Sequence, residues 1–196
     1  DRTAELELEV PQEGMTINYS YQIEQNGIVI RKEWDSFSRS IFLSGSSRKI
    51  YRINDCWKNI PEQLYLYSSA FTEALLAHPE KENIPQRYKK GLVIKAYAPR
   101  INKDYCLAIC GNQKSLGHWD PEKAVLMSDT NFPEWQIELD ASKLKYPLEY
   151  KFILYNKQEK KADCWEKNPN RYLADPELKT NETLVISDRY AYFDIP

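Results

Sequence analysis

Between Leu148 and Tyr155 the chain alternates, with Tyr150, Phe152 and Leu154 on one parity and Lys151 and Ile153 on the other. A period of two predicts a half-buried strand. A polar turn at Asn156–Lys161 follows, then a second short run ending at Trp165. With Cys164 facing inward, Trp165 points outward between Asp163 and Glu166. An indole held outward among charges is out of place in a core and suits contact with a ligand.

The pattern occurs twice. A shift of 131 residues lays Ile17–Trp34 over Leu148–Trp165 without a gap, placing Tyr19 on Tyr150, Tyr21 on Phe152, Ile23 on Leu154 and Trp34 on Trp165. Leu6 and Leu8 fall on Ile137 and Leu139 at the same shift, and Ile50–Asp55 resembles Thr183–Asp188 at a slightly larger one. Self-similarity at so long a period predicts tandem domains rather than a solenoid. The first copy is expected to form strands at Glu5–Val10, Ile28–Trp34 and Arg48–Asn54. In the second copy they are expected at Leu92–Ala98, Tyr105–Gly111, Trp135–Asp140, Leu148–Tyr155, Ala162–Trp165 and Thr183–Ser187. Ser68–Ala77 reads as a short helix capped by Ser68 or Ser69, and His78–Gly91, with Pro79, Pro85 and many charges, reads as a linker. Nothing in the first copy answers to Leu92–Asn131. The expected organisation is therefore a partial first domain over 1–67, helix and linker over 68–91, and a complete domain over 92–196. Many short strands separated by turn signals predict an all-β chain built of antiparallel sandwiches.

Composition changes this picture little. With 42% hydrophobic and 29% charged residues, the 196-residue chain is ordinary for a globular protein. A net charge of −2 gives no field to attract nucleic acid or an anionic membrane, so neither is an expected partner. No apolar run approaches the roughly 20 residues of a membrane span. The four cysteines form no CxxC pair and only two histidines are present, so neither a metal nor another cofactor is expected. Cys106 and Cys110 read as buried thiols. The aromatic content stands out, with 14 Tyr and 5 Trp.

Three pieces of the second copy carry chemistry: GNQKSLGHWD at Gly111–Asp120, EYKF at Glu149–Phe152, and WEKNPNR at Trp165–Arg171. In this order, over roughly 100 residues, they resemble the starch-binding domains of carbohydrate-binding module family 20. That family has a Leu-Gly-x-Trp turn, a Tyr-Lys-Phe strand and a Trp-Glu followed by Pro-Asn-Arg. The resemblance implies immunoglobulin-like sandwiches, the first incomplete at its N-terminus. It also implies a glucan site on Trp119 and Trp165, with Lys151 and Asn170 as polar partners; read from the residues alone, Asn170 and Arg171 could instead cap a turn, a structural part that fits Arg171 better than Asn170. Elementary chemistry supports the same assignment. A pyranose presents an apolar C–H face and a belt of hydroxyls, so an indole covers the face while charged and amide groups bond the rim. Burying on the order of 100 Å² per stacked sugar contributes about 2.5 kcal/mol before entropic costs.

Two further tryptophans are open. Trp135 answers in the family to a second glucan site, yet its parity with Ile137 and Leu139 favours the core. Trp34 could form a weak site in the first copy, where Ser20 stands in place of Lys151 and Ser38–Ser40 in place of Pro-Asn-Arg. Tandem modules joined by a short helix resemble the N-terminal region of disproportionating 4-α-glucanotransferases of glycoside hydrolase family 77. That resemblance implies an α-glucan as ligand, a catalytic domain of the same polypeptide outside this chain, no catalytic residues within it, and a cytoplasmic location. The alternative is an immunoglobulin-like pair whose exposed aromatics meet another protein.

Overall fold

Gly91–Ala98 carries apolar residues on both parities, as a strand does when both of its faces are covered. In the computed structural model, which describes residues 4–33, 39–45, 48–57, 84, 86–101, 103–187 and 191–193, that is what surrounds it. The strands in chain order are β1 (Met15–Tyr19), β2 (Gln22–Gln25), β3 (Ile28–Lys32), β4 (Arg39–Leu43), β5 (Ile50–Asp55), β6 (Lys90–Tyr97) and β7 (Tyr105–Gly111). They continue with β8 (Val125–Leu126), β9 (Ser128–Asn131), β10 (Glu134–Asp140), β11 (Leu148–Asn156), β12 (Lys161–Trp165), β13 (Arg171–Leu173) and β14 (Glu182–Ser187).

Two five-stranded sheets face each other. One runs β5-β14-β6-β10-β9; the other runs β12-β11-β7-β8, with β13 beside β12 on the same edge of β11. Between them lies one core: Leu92, Ile94 and Ala96 from β6, Leu107 and Ile109 from β7, Trp135, Ile137 and Leu139 from β10, and Leu148, Tyr150, Phe152 and Leu154 from β11. The opposite parity of β6 and β14 meets a third layer. There Ile41 and Leu43 of β4, with Met15, Ile17 and Tyr19 of β1, pack on Val93 and Val185. Lys95 crosses between these layers, its Nζ donating to Ser40 O at 2.7 Å and lying 3.0 Å from Glu134 Oε1.

The six strands expected in the second half are all present, within two residues of their expected ends. The short strands β8, β9 and β13 were not legible as strands. The pairing is not purely antiparallel, because β14 runs parallel to both β5 and β6. Glu5–Val10 alternates as a strand would but forms none. No described strand pairs with it, and Leu6 remains 78% exposed. Trp34 and the helix expected at Ser68–Ala77 lie outside the described residues. Cys106 and Cys110 are buried free thiols, as their positions suggested.

Candidate functional site

The ladder on one edge of β11 is interrupted. β12 pairs with Ile153–Asn156 and β13 with Leu148–Tyr150, so Lys151 and Phe152 have no strand partner on that side. An open amide there would carry the cost of an unmade hydrogen bond. Glu166 fills the gap. Its backbone N–H donates to Phe152 O at 3.0 Å, and its Oε1 accepts from Phe152 N at 2.7 Å. The carboxylate is buried and paired with the Arg171 guanidinium, which lies 4.4 Å from the Phe152 ring centroid. This clamp turns the chain sharply at Trp165, leaving the indole outward (37% exposed) while the residue after it goes in. Glu166 is thus an interior anchor and no part of a charged surface around Trp165. Arg171 has the structural part expected of it.

Trp119 reaches the same face from a loop with an unusual backbone. Gly117, His118 and Trp119 all have positive φ, at 78°, 52° and 62°. Glycine is required at the first, since a Cβ there would lie 2.8 Å from Lys123 O. The loop is pinned by Gln113, whose amide donates to Lys145 O and accepts from Lys145 N, and by Leu116, fully buried beneath it. After Trp119 the chain is caught by Asp120, which accepts from Glu122 N and sits 2.5 Å from Lys123 Nζ. That hydrogen bond to Lys123, first among the causes, holds the Asp120 carboxyl below the usual carboxylate range.

The two indoles meet with ring centroids 6.2 Å apart and planes tilted by 46°. They form one bent apolar surface. Lys151 lies on the outward parity of β11, opposite Cys110 and two residues from Ile153, which faces Trp165 across the ladder. Its ammonium has no hydrogen bond or ion pair among the described residues, and Asn170, exposed just before β13, has none either. Beneath this face Ala108, Cys110 and Ile153 form a small cluster covered by Ala124, Tyr155 and Ala162. Burial pushes the Cys110 thiol up. The arrangement offers apolar plates flanked by an unpaired donor and an amide, and it suits a ligand with alternating apolar faces and hydroxyls.

Trp135 does not belong to it. The ring is 2% exposed, packs edge-on against Phe132, and donates through Nε1 to Ala98 O at 3.3 Å. Its parity with Ile137 and Leu139 decided its place, and no sugar can stack on it. Tyr172 was missed by the sequence reading. It is 65% exposed on β13, opposite Glu149 on the outward face. The signal was available in Arg171-Tyr172-Leu173, a short alternation whose middle residue must point out.

The clamp itself occurs twice. Glu33 N donates to Tyr21 O at 3.0 Å, and Glu33 Oε2 accepts from Tyr21 N at 3.2 Å. Arg39 pairs with Glu33 at 2.6 Å and lies 5.3 Å from the Tyr21 ring centroid. Tyr19 and Tyr21 meet edge-on at 5.8 Å, as Tyr150 and Phe152 do at 6.0 Å. Both hairpins carry a register shift at the same place, between Ile23 and Glu24 and between Leu154 and Tyr155. The first copy adds Asp55, which accepts from both tyrosine hydroxyls, at 2.7 Å from Tyr19 and 3.1 Å from Tyr21, and lies 3.1 Å from Arg39. The turn between β2 and β3 is two residues shorter than that between β11 and β12. Lys32, paired with Gln22, therefore holds the place that Trp165, paired with Ile153, holds in the second copy. The gapless alignment of Trp34 with Trp165 overlooks that difference.

Residues 93–185 match the family model of the starch binding domain, carbohydrate-binding module family 20. No curated protein matches the chain. Among solved structures it is similar to the family 20 module of the maltotetraose-forming amylase from Pseudomonas saccharophila STB07, with 17% identity and a TM-score of 0.40 over 50% of this chain and 99% of that one. It is also similar to the family 15 glucoamylase from Hypocrea jecorina (21% identity, TM-score 0.43, 56% of this chain and 19% of that one). A third likeness is to the glucoamylase from Hormoconis resinae (15%, 0.45, 59% and 19%). The chain spans about a fifth of the length of each glucoamylase.

Proposed function

We propose that this chain, which carries a starch binding domain of carbohydrate-binding module family 20 within residues 93–185, binds α-1,4-glucans such as starch, glycogen and maltooligosaccharides on the Trp119–Trp165 surface. The observation that carries this reading is the tilted indole pair at 6.2 Å. Two plates set at an angle follow a curved chain, each covering the apolar face of one sugar. Lys151 Nζ and the Asn170 amide bond the hydroxyls at the rim. The site is open and mostly solvent-facing, so binding falls in the micromolar-to-millimolar range.

The duplicated clamp supports a tandem origin, with residues 1–67 as a partial copy and 92–196 as the complete one. In this reading the chain is a targeting region that holds a catalytic domain of the same polypeptide, a 4-α-glucanotransferase of glycoside hydrolase family 77, on its polymer. The test is affinity electrophoresis of the chain. Retardation in gels containing amylopectin supports glucan binding, and unchanged mobility in such gels rejects it.

A further inference from the structure

We propose that Tyr172 is a third stacking platform, extending the glucan surface along the sheet so that the site favours longer α-1,4-linked oligosaccharides over short ones. This rests on the reading of the indole pair as glucan-binding. β12 and β13 both lie along the same edge of β11, end to end, with Trp165 opposite Ile153 and Tyr172 opposite Glu149. Ile153 and Glu149 share a parity, so the two aromatic side chains leave the sheet on the same face. Four residues of strand separate them, or about 13 Å at the rise of an extended chain. Between them on that face stands Lys151, with Asn170 entering from the connection just before β13. The line thus runs from plate to polar groups to plate.

Tyr172 has no packing reason to be aromatic. It is 65% exposed, while its neighbours Arg171 and Leu173 turn inward, to the Phe152 ring and to the core. A tyrosine ring standing on a strand offers a flat apolar face and a hydroxyl at its tip, with few rotatable bonds to order on binding. Set beyond the polar groups, it meets a glucan only when the chain extends past the sugars held by the tryptophans. The first copy lacks this feature as well. Its counterpart across β1–β4 is Ser40, paired with Asn18 as Tyr172 is with Glu149, and Ser40 is buried.

The experiment is titration calorimetry of the whole chain and its Tyr172→Ala and Tyr172→Phe variants with maltotriose and maltoheptaose. The expected result is a loss of about fivefold in maltoheptaose affinity for Tyr172→Ala, unchanged maltotriose affinity, and near-native binding of both by Tyr172→Phe. Unchanged maltoheptaose affinity in Tyr172→Ala overturns the proposal, and so does an equal loss on both sugars. A parent chain that binds neither sugar rejects the glucan reading itself. A parent that binds both, with no dependence on Tyr172, rejects only the extension. Because the side chain is exposed, the thermal midpoint of each variant should match the parent's, which separates a binding effect from a folding one.

Discussion

Trp119 and Trp165 are each one plate of a two-plate surface, so removing either takes away half of its apolar contact. Trp119→Ala and Trp165→Ala should each weaken maltooligosaccharide binding at least tenfold, more than about 1.4 kcal/mol, while the domain stays folded. Native affinity in either variant by calorimetry overturns the site. Glu166 is the opposite kind of residue, invisible to a ligand and costly to the fold. Glu166→Ala removes the acceptor of the Phe152 amide and the buried ion pair of Arg171, and should cost about 3 kcal/mol in urea unfolding. Glu166→Gln, which still accepts from Phe152, should cost less. At this scale the sequence was legible where apolarity and surroundings disagreed, as at Trp165. It was less so at Glu166, because burial of a carboxylate depends on a gap in a ladder formed with residues far along the chain. Trp135 illustrates the rule from the other side, since its parity outweighed any family precedent.

Among the elements, β10, β11 and β12 followed from period-two alternation, because each has one face toward the core, whereas β6, β7 and β14, covered on both faces, read as short apolar runs. Glu5–Val10 has the same alternation without a partner, and alternation alone does not make a strand. The likeness of the two clamp segments was legible too, but not its register across the hairpins. Turn length is set by local backbone geometry that a gapless comparison ignores, so Lys32 rather than Trp34 stands in the place of Trp165. The first clamp also differs in its chemistry. Burial, aided by the Asp55 charge, holds the Tyr19 hydroxyl well above the usual phenol range and pushes Tyr21 up to about 12. A group raised on folding stabilises the protein fully below its unfolded value and loses that contribution as pH rises through the folded one. The contacts of Tyr19 and Tyr21 with Asp55 should therefore weaken from about pH 10 upward. Ultraviolet titration of the phenolates should show Tyr19 and Tyr21 among the tyrosines that ionise late. Asp55→Asn should bring that late fraction down toward the ordinary range, and a titration unchanged by the substitution speaks against the assignment.

For the molecule as a whole, the two clamps are alike but the two faces are not. One copy presents Trp165, Lys151 and Tyr172. At the matching places the other presents Lys32, Ser20 and a buried Ser40. A single plate-bearing face among the described residues predicts one maltoheptaose bound per chain, lost together with Trp165; two equivalent sites by calorimetry contradict this. The layer of β1 and β4 on Val93 and Val185 was not legible beforehand. It follows from the second parity of β6, which the sequence shows as apolar without saying what covers it.

The place of β14 between β5 and β6, parallel to both, has a mechanical consequence. A pull entering at Ser187 and directed along the strand loads the hydrogen bonds on both flanks together, in shear, so none can be opened one after another as in a peeled hairpin. A module gripping an insoluble polymer through its aromatic face could then transmit tension into whatever follows β14 without unravelling.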